Sequence, residues 1–398
     1  MAVNKSFILF DDYQRDHLLP FTYTRPVAEI RVGILTIREK WEKWTGRPFS
    51  HKTQDYLQEK FALVLGDENL VINGCVTPNR QLLDEVMQLR CGEVLMKDSF
   101  FVAGCLDKTA VELFSGLPPK GHAIVQAKSE FRNISRTWQI FRLNGVELES
   151  DFGLLTGKRK SVPLSSTNRV ISPENVFVEA GASLEFVTIN ASTGPVYIGN
   201  NAVAMEGSLI RGPFALCEGA SVKMGTRIYG PTTVGPYSKV GGEITNSVIM
   251  GYTYKVHDGY MGNSVIGTWC NFGAGSNTSN LKNNYTLLPV WDYATGKAEE
   301  TGLQFCGLIM GDYSRCGINT MFNTGTVVGI SSNIFGSGFP GNFIPSFSWG
   351  GAAGFETYRL ANAIETIRIG MELHNMSLIE ADKKMIEQIF IRSGLYRK

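Results

Sequence analysis

Aliphatic residues recur at every sixth position through residues 196–246, a period that neither a helix nor a strand would sustain. The positions are Ile198, Ala204, Ile210, Leu216, Val222, Ile228, Val234 and Val240. Repeats of this length stack short strands into a solenoid, because each unit offers too little apolar surface to fold alone and buries it only against the next. The period therefore predicts a parallel β-helix.

The same period continues toward the C-terminus with one change of phase and one insertion. We expect it to slip by two residues after Val240. The interior positions expected thereafter are Val248, Tyr254, Tyr260, Ile266, Phe272 and Thr278, then Met310, Cys316, Phe322, Val328 and Ile334. The insertion at residues 282–302 is rich in polar residues and carries Trp291 and Tyr293, and we expect it to loop out toward a neighbouring subunit. Most of residues 170–340 is predicted to be one solenoid.

The length, net charge, hydrophobicity and cysteine content of the chain limit the classes of protein to which it can belong. A chain of 398 residues exceeds the size at which one core usually stops growing. Its net charge of +1 favours no nucleic-acid partner, and no apolar run approaches membrane-spanning length. Acidic residues interrupt the N-terminal apolar stretch too early for a signal peptide. The seven cysteines are an odd number without a C-x-x-C pair, which argues against a disulfide framework or a zinc ribbon. We therefore expect a cytoplasmic protein.

Three domains are predicted. Residues 1–160 lack the six-residue period and mix strand-like runs at 7–10, 61–65 and 70–73 with helical spacing at 32–44 and 81–89, which indicates an α/β domain. Residues 161–350 form the β-helix, and the polar segment 151–170 suits a linker or an ordered crossing segment. Residues 351–398 carry helical spacing at 356–370 and 377–393. Ser377 and Glu380 have the spacing of a capping box, with Ser377 as the N-cap.

One segment of the solenoid, residues 255–281, reads KVHDGYMGNSVIGTWCNFGAGSNTSNL. It resembles the acetyltransferase half of bacterial bifunctional N-acetylglucosamine-1-phosphate uridylyltransferase/glucosamine-1-phosphate acetyltransferases. That family carries a Lys-x-x-His-x-x-Tyr-x-Gly element, matched here by His257, Tyr260 and Gly262, with Lys255 one residue closer to the histidine. The family's Asn-Ile-Gly-Ala-Gly-Thr element is similar to the run that starts at Asn271.

Two departures from the family lie farther along the chain. Asn280 stands where the family's Asn-Tyr pair begins, but Leu281 replaces the tyrosine. Residues 310–329 resemble the family's Ile-Gly-Asp-x-x-x-x-Gly-Ser coil, with Ile318 at the serine that contacts the acyl thioester.

The resemblance implies a left-handed β-helix that transfers an acetyl group from acetyl-CoA to an amino-sugar phosphate, on the path to UDP-N-acetylglucosamine. Such a transfer needs a base for the ammonium proton and donors for the developing oxyanion. By resemblance His257 is the base, and Lys255, Tyr260, Asn271 and Asn280 bind the substrate. Solenoids of this family complete their sites between subunits, which implies a homotrimer.

A purely structural interpretation of the same residues stays open. His257 lies in a His-Asp-Gly turn, where a solvated histidine is common. The two asparagines could be stacked corner residues, and the Gly-Ala-Gly run that follows Asn271 could serve coil geometry alone.

The N-terminal domain carries a second resemblance. Residues 19–33, LPFTYTRPVAEIRVG, resemble the Arg-Pro-Leu-Thr-x-x-x-Pro-Lys-Pro-Leu stretch of sugar-1-phosphate nucleotidyltransferases. In that superfamily a Gly-rich loop and the lysine hold phosphates. Here Asp-Asp-Tyr-Gln at residues 11–14 replaces the loop, and Val27 replaces the lysine. Residues 22–35 also resemble a divergent, mainly Bacteroidetes-type branch of probable sugar nucleotidyltransferases fused to the same β-helix.

For this branch the resemblance implies a nucleoside triphosphate as substrate. The candidate residues comprise cations for the phosphates, a strand-end turn beside the sugar and two carboxylates for Mg²⁺. They are Arg15, Arg25 and Arg31, then Asn73 and Gly74, then Asp11 and Asp12. Ordinary salt bridging of the arginines with Asp11, Asp12 or Glu29 is the alternative.

Two hypotheses for the whole chain follow. The favoured one is a sugar-nucleotide pathway transferase, with CoA-dependent N-acyl transfer in the β-helix and a nucleotidyltransferase-like N-terminal domain. The alternative is a non-catalytic sugar-nucleotide-binding or regulatory protein that uses the β-helix as a trimerisation platform. Leu281, Ile318, Val27 and the missing Gly-rich loop favour the alternative.

Overall fold

A computed structural model describes residues 4–397 of the chain. The outermost residues of two predicted domains, 1–3 and 398, lie outside the described part. Contacts divide the chain into two compact units. The first contains the residues up to Leu18, Thr24–Ile30 and Leu35–Arg136, and the second contains Leu19–Tyr23, Arg31–Ile34 and the chain from Thr137 onward. The predicted boundaries at 160 and 350 stay predictions.

The first unit is an α/β domain built on one mixed six-stranded sheet of order β2-β1-β3-β5-β4-β6. Its strands are β1 Lys5–Phe10, β2 Ser50–Lys52, β3 Glu68–Asn73, β4 Glu93–Lys97, β5 Phe100–Asp107 and β6 Ala123–Gln126. Its helices are α1 Ile37–Thr45, α2 Asp55–Gln58, α3 Arg80–Met87 and α4 Lys108–Glu112. Short 3-10 helices lie at Tyr13–Leu18, Phe21–Tyr23 and Val27–Glu29, of which the second belongs to the other unit.

Most of the predicted N-terminal elements are confirmed. The strands predicted at 7–10 and 70–73 and the helix predicted at 81–89 are present. The helix predicted over 32–44 begins only at Ile37, because Thr36 and Glu39 form a capping box there. The strand predicted at 61–65 is wrong. That run is an irregular segment whose Leu63 and Leu65 pack partly on the core without joining the sheet.

Helix α5, Thr137–Thr156, belongs to the second unit and packs on the outside of the solenoid. The first six residues of the predicted linker, 151–156, are therefore helical. Asp151 on this helix accepts a hydrogen bond from the Ile34 amide at 2.8 Å, and Asn144 accepts one from the Gly33 amide at the same distance. Thr233 of the solenoid donates to the Gly33 carbonyl at 3.0 Å. These bonds hold the segment Arg31–Ile34 against α5 and the coil.

The solenoid is a parallel β-helix with three faces, which confirms the predicted fold class. A 3-10 helix lies at Pro173–Asn175, within the first coil. Up to the insertion, the strands pass in rotation through a six-stranded, a nine-stranded and a ten-stranded sheet, except the last one, Asn277–Thr278, which belongs to a separate two-stranded sheet. They are β7 Arg169–Ile171, β8 Val176–Val178, β9 Ser183–Leu184, β10 Thr188–Asn190, β11 Val196–Ile198, β12 Val203–Ala204, β13 Leu209–Arg211, β14 Phe214–Leu216, β15 Ser221–Val222, β16 Arg227–Tyr229, β17 Thr232–Val234, β18 Lys239–Val240, β19 Glu243–Thr245, β20 Val248–Gly251, β21 Tyr254–Lys255, β22 Tyr260–Gly262, β23 Val265–Thr268, β24 Asn271–Phe272 and β25 Asn277–Thr278.

After the insertion, the coils continue with fewer strands. The strands there are β28 Ile309–Met310, β29 Arg315–Cys316, β30 Met321–Phe322, β31 Val327–Val328, β32 Asn333–Ile334, β33 Phe343–Ile344, β34 Ser348–Gly351 and β35 Gly354–Thr357. Each interior column holds mainly aliphatic side chains that form one continuous core.

The predicted phase is wrong by one residue over one coil, which has one strand on each of the three faces. Val234 pairs with Ile249 rather than Val248, and Val240 pairs with Lys255 rather than Tyr254. Likewise Met261, not Tyr260, follows Ile244 in register. Val248 lies on the outer surface of the nine-stranded sheet but is fully buried, because helix α5 packs on that sheet. Burial on both faces removes the alternation on which a sequence-based phase depends.

The insertion forms a hairpin of β26 Pro289–Asp292 and β27 Lys297–Glu300. Trp291 stacks on Phe343 with ring centroids 4.1 Å apart, and Tyr293 contacts Tyr396 edge-on at 5.1 Å. The expectation that the insertion reaches toward a neighbouring subunit stays a prediction, and the two aromatic rings themselves make contacts within this unit.

Two helices close the chain, α6 Leu360–Glu372 and α7 Glu380–Arg392, followed by a 3-10 helix at Ser393–Tyr396. The predicted capping box is wrong, since α7 begins three residues after Ser377 and its N-cap is Ile379. Glu380 is therefore the first helical residue, where its charge suits the positive end of the helix dipole. Among the helices of residues 4–397, none has both the length and the apolarity needed to cross a membrane.

Candidate functional site

A corner of the solenoid carries His257. Residues 256–259 turn the chain from β21 in the ten-stranded sheet to β22 in the six-stranded sheet. The amide of Gly241 in the preceding coil donates to the Lys255 carbonyl at 2.7 Å, and the amide of Gly275 in the following coil donates to the Asp258 carbonyl at 3.1 Å. The turn is thus held from both sides, while the His257 side chain is exposed.

Lys255 lies inside the solenoid rather than on its surface. Its side chain occupies the interior column next to Val240 and is only 2% exposed. The amine donates to the carbonyl oxygens of His257 at 2.7 Å and Gly241 at 3.1 Å. Burial lowers the pKa of Lys255 from 10.5 to about 8, although Asp258 and Cys316 partly oppose that change.

Tyr260 and Asn280 form a polar pair beside the six-stranded sheet. The Asn280 amide group donates to the Tyr260 hydroxyl at 2.9 Å and to the Asn263 side-chain oxygen at 2.7 Å. Burial raises the pKa of the Tyr260 hydroxyl above its usual value. Gly262 leaves room for this pair, since a Cβ there would crowd the Tyr260 hydroxyl and the Asn280 amide nitrogen. Asn263 was not among the residues that the sequence singled out, and only its hydrogen bond with Asn280 identifies it.

Asn271 lies on a different sheet from this pair. It is exposed on the ten-stranded sheet, in register with Tyr254 and Arg315. In the part of the chain that the structure describes, no hydrogen bond joins His257 to Tyr260, Asn271 or Asn280. The structure therefore places the histidine at the corner between two groups of candidate side chains.

Ile318 lies at the same corner in the coil that follows residues 273–275. A Cβ on Gly273 would collide with the amide of Ile318, so the glycine allows the two coils to stack closely. The Ile318 side chain is 72% exposed. The corner that presents His257 therefore also presents an apolar side chain, where the similar family has a serine.

The N-terminal candidates are engaged with one another. Asp11 accepts hydrogen bonds from the Val27 amide at 2.8 Å and the Thr53 hydroxyl at 2.6 Å, and its carboxylate lies 3.6 Å from Arg15. Arg15 is 5% exposed and also donates to the Tyr56 hydroxyl at 2.7 Å. Burial raises the pKa of Asp11 in spite of these partners.

A second carboxylate nearby is held in a similar way. Asp12 accepts a hydrogen bond from the Asn73 amide group at 2.8 Å, and burial raises its pKa. The amide of Gly74 donates to the Phe10 carbonyl at 2.8 Å at the end of β1. Arg25 is half-buried. Arg31 belongs to the segment Arg31–Ile34 of the second unit, where its guanidinium donates to the Ile34 carbonyl.

The N-terminal part of the chain is similar to a known family. Residues 7–160 match the sugar nucleotidyl transferase family. Within this sugar nucleotidyl transferase domain, Val27 is buried at the position that carries the phosphate-binding lysine in the similar enzymes. Residues 11–14 stand where those enzymes have the Gly-rich loop. Here the last two of them begin the 3-10 helix Tyr13–Leu18.

The chain is similar to proteins that are named as bifunctional. The bifunctional protein GlmU of Methanococcus maripaludis is 27% identical over 288 residues, which cover 69% of this chain and 62% of that protein. The bifunctional sugar-1-phosphate nucleotidylyltransferase/acetyltransferase of Sulfurisphaera tokodaii is 28% identical over 189 residues, which cover 42% and 47%. The chain thus spans less than two thirds of the length of either relative. The resemblance to the bifunctional family is confirmed.

One solved structure matches more than half of the chain at low similarity. The UDP-N-acetylglucosamine acyltransferase of Arabidopsis covers 59% of this chain and 91% of its own, at 14% identity and a TM-score of 0.30.

Proposed function

We propose that the protein is a sugar-nucleotide pathway transferase whose solenoid moves an acetyl group from acetyl-CoA to the amine of an amino-sugar phosphate. The observation that carries the proposal is the corner turn, which holds His257 between two stacked coils and exposes its imidazole. The bifunctional relatives support the same reaction class. The N-terminal domain is proposed to transfer a nucleotidyl group to a sugar 1-phosphate.

His257 is the proposed general base. The amine of the sugar attacks the thioester carbonyl, a carbon–nitrogen bond forms, and the carbon–sulfur bond breaks. The imidazole takes the proton that the amine loses and returns it to the departing thiolate of CoA. Tyr260 and Asn280 form a hydrogen-bonding pair near the turn and are proposed to bind the sugar. Asn271 is proposed to contact substrate from the neighbouring sheet.

A magnesium ion at Asp11 does not fit the observed contacts. The ion would have to displace the bonds from Val27 and Thr53 and to lie beside the Arg15 guanidinium. We therefore derive no metal-dependent step from Asp11 and Asp12. Nucleotide binding by Arg15, Arg25, Arg31, Asn73 and Gly74 stays a proposal that rests on the family match.

Acetyl transfer is tested directly with acetyl-CoA and glucosamine 1-phosphate, by following free thiol. We expect thiol release that depends on both substrates and is lost in His257→Ala. The matched control is His122→Ala, which removes a histidine from the first unit and should leave the rate unchanged. An inactive wild-type protein would refute the proposed reaction.

A non-catalytic binding or regulatory protein is the second candidate. The exposed Ile318 and the buried Val27, both at positions that contact substrate in the similar enzymes, favour it. A thermal-shift series with acetyl-CoA, UTP and sugar phosphates separates the candidates, since a ligand that binds only the folded state raises the melting temperature. Stabilisation by a sugar nucleotide without any turnover would support the second candidate.

We also propose a homotrimer located in the cytoplasm. The outer surface of the six-stranded sheet exposes Ile171, Leu209 and Tyr229, which supports association of that face with another copy. Seven cysteines without a C-x-x-C pair support a reducing compartment. Light scattering that shows a stable monomer at micromolar concentration would exclude the trimer.

A further inference from the structure

Lys255 is a cationic residue in an aliphatic column. Strand register places it next to Val240, and the same column continues through Val222, Ala204 and Leu184 in the preceding coils. Those four side chains belong to the apolar core of the solenoid. The preceding coils therefore fold with aliphatic residues at this position, so the geometry of the solenoid does not require an amine there.

A buried ammonium group destabilises a fold unless its environment compensates for the lost hydration. The lowered pKa of Lys255 reflects that cost. Two charged or titratable groups face the amine, Asp258 on the adjoining turn and the Cys316 thiol on β29, and both favour the charged form. Retaining lysine here thus opposes stability, which suggests a role that an aliphatic residue cannot fill.

The contacts of the amine indicate that role. Both of its acceptors are main-chain oxygens at the corner, one from His257 itself and one from Gly241 in the preceding coil. A donor that bridges these two carbonyls restrains the peptide plane that follows the His257 α-carbon. That restraint limits the directions in which the exposed His257 side chain can point.

We propose that Lys255 is the positioning residue of the corner site and holds His257 in the orientation that base catalysis needs. This inference rests on the proposed acetyl transfer. Lys255 reaches only main-chain oxygens from inside the solenoid, so it acts through the turn rather than on the reacting atoms. Its placement differs from the surface contact with substrate that the sequence resemblance implied.

The test compares Lys255→Met with Lys239→Met. Methionine matches the length of the lysine stem and suits the apolar column, but it donates no hydrogen bond. Lys239 lies on the outer face of neighbouring strand β18, with its amine 4.9 Å from the Tyr254 ring centroid, so its replacement removes the same side chain without touching the turn. Acetyl transfer, thermal unfolding and amide hydrogen exchange at residues 256–259 are measured for both variants.

We expect Lys255→Met to lower kcat by about 10–100-fold, because a small misplacement of a catalytic group has effects of that order. KM should change little, the melting temperature should hold or rise, and the turn amides should exchange faster than in wild type. Lys239→Met should match wild type in kcat and exchange. Lys255→Gln, which keeps two N–H donors without a charge, should retain most of the rate and the slow exchange.

Several outcomes would overturn the inference. Wild-type kcat together with wild-type exchange in Lys255→Met would show that the amine does not position the turn. Should that variant fail to fold, rapid exchange and lost transfer in a folded Lys255→Gln would equally contradict a positioning role through hydrogen bonds. An inactive wild-type protein would refute the proposed function alone, since hydrogen exchange still reports whether Lys255 restrains the turn.

Discussion

In the first unit, Arg15 and Asp11 lie buried against each other, whereas at the solenoid corner His257 faces solvent above a buried lysine. In the first region, Arg15 donates a hydrogen bond to the Tyr56 hydroxyl, and Asp11 accepts hydrogen bonds from Val27 and Thr53. At the corner, main-chain bonds between coils support the turn, so the histidine side chain is not needed for folding. The solenoid thus presents a functional side chain that its fold does not need. Mutation of His257 should therefore affect activity and not stability, and mutation of Arg15 should affect stability.

The largest expected effect is on catalysis. His257→Ala should reduce acetyl transfer by about 10²–10⁴-fold, which is the usual contribution of a general base. The free energy of unfolding should change by no more than about 0.5 kcal/mol, because the side chain is exposed. Steady-state kinetics and chemical denaturation of the same preparation measure both quantities. A variant that keeps most of the wild-type rate would place the base elsewhere.

Arg15 should behave in the opposite way. Arg15→Leu leaves the Asp11 carboxylate buried without its cation, and breaking such a pair costs about 3–5 kcal/mol. Arg80→Leu is the control, since its ion pair with Asp84 is exposed at 74% and 53% and should contribute below about 1 kcal/mol. Denaturant titrations of both variants give the comparison. Equal stability of the two variants would show that the buried cluster is not structural.

Nucleotidyl transfer should be weaker than in enzymes that carry the Gly-rich loop and lysine. Each lost contact to a developing charge is worth about 2–4 kcal/mol, so pyrophosphate release from UTP and a hexosamine phosphate should be at least about a hundredfold slower. Val27→Lys should not restore it, because the new charge would be buried. Release at the rate of the full-motif enzymes would contradict this account.

The smallest effect is the pH dependence of stability that Lys255 confers. Its pKa in the folded protein, about 8, lies below the ordinary 10.5, so between these values the unfolded chain binds more protons and the free energy of unfolding rises with pH. The full difference corresponds to at most about 3 kcal/mol. Denaturation from pH 7 to 11 should show this rise in wild type and Lys239→Met. The same rise in Lys255→Met would assign it to another group.

Sequence periodicity predicted the solenoid well because the same short strand recurs until the insertion. It failed where a second layer intervened. Val248 and Ile249 are both apolar and both buried, because α5 covers the outer face of the nine-stranded sheet, so only the strand register shows that Ile249 faces inward. The same error of phase affected Lys255. The prediction put Tyr254 in the interior column and Lys255 on the surface, whereas Lys255 is the interior residue.

Local signals had a similar limit at the ends of helices. Thr36 and Glu39 form a capping box that starts α1, whereas Ser377 and Glu380 have the same spacing and do not start α7. Spacing alone cannot distinguish the two cases, because a cap forms only where the preceding chain is free to turn there.

By itself, the sequence determined that this chain contains a parallel β-helix, an α/β domain and a histidine in a corner turn, since each depends on local pattern. Tertiary structure alone decided that Arg15 and Asp11 form a buried ion pair, that Tyr260 pairs with Asn280 and that Lys255 points into the core. These features depend on which residues meet across coils and layers, and the spacing of residues along one strand carries no information about the layer that will cover it.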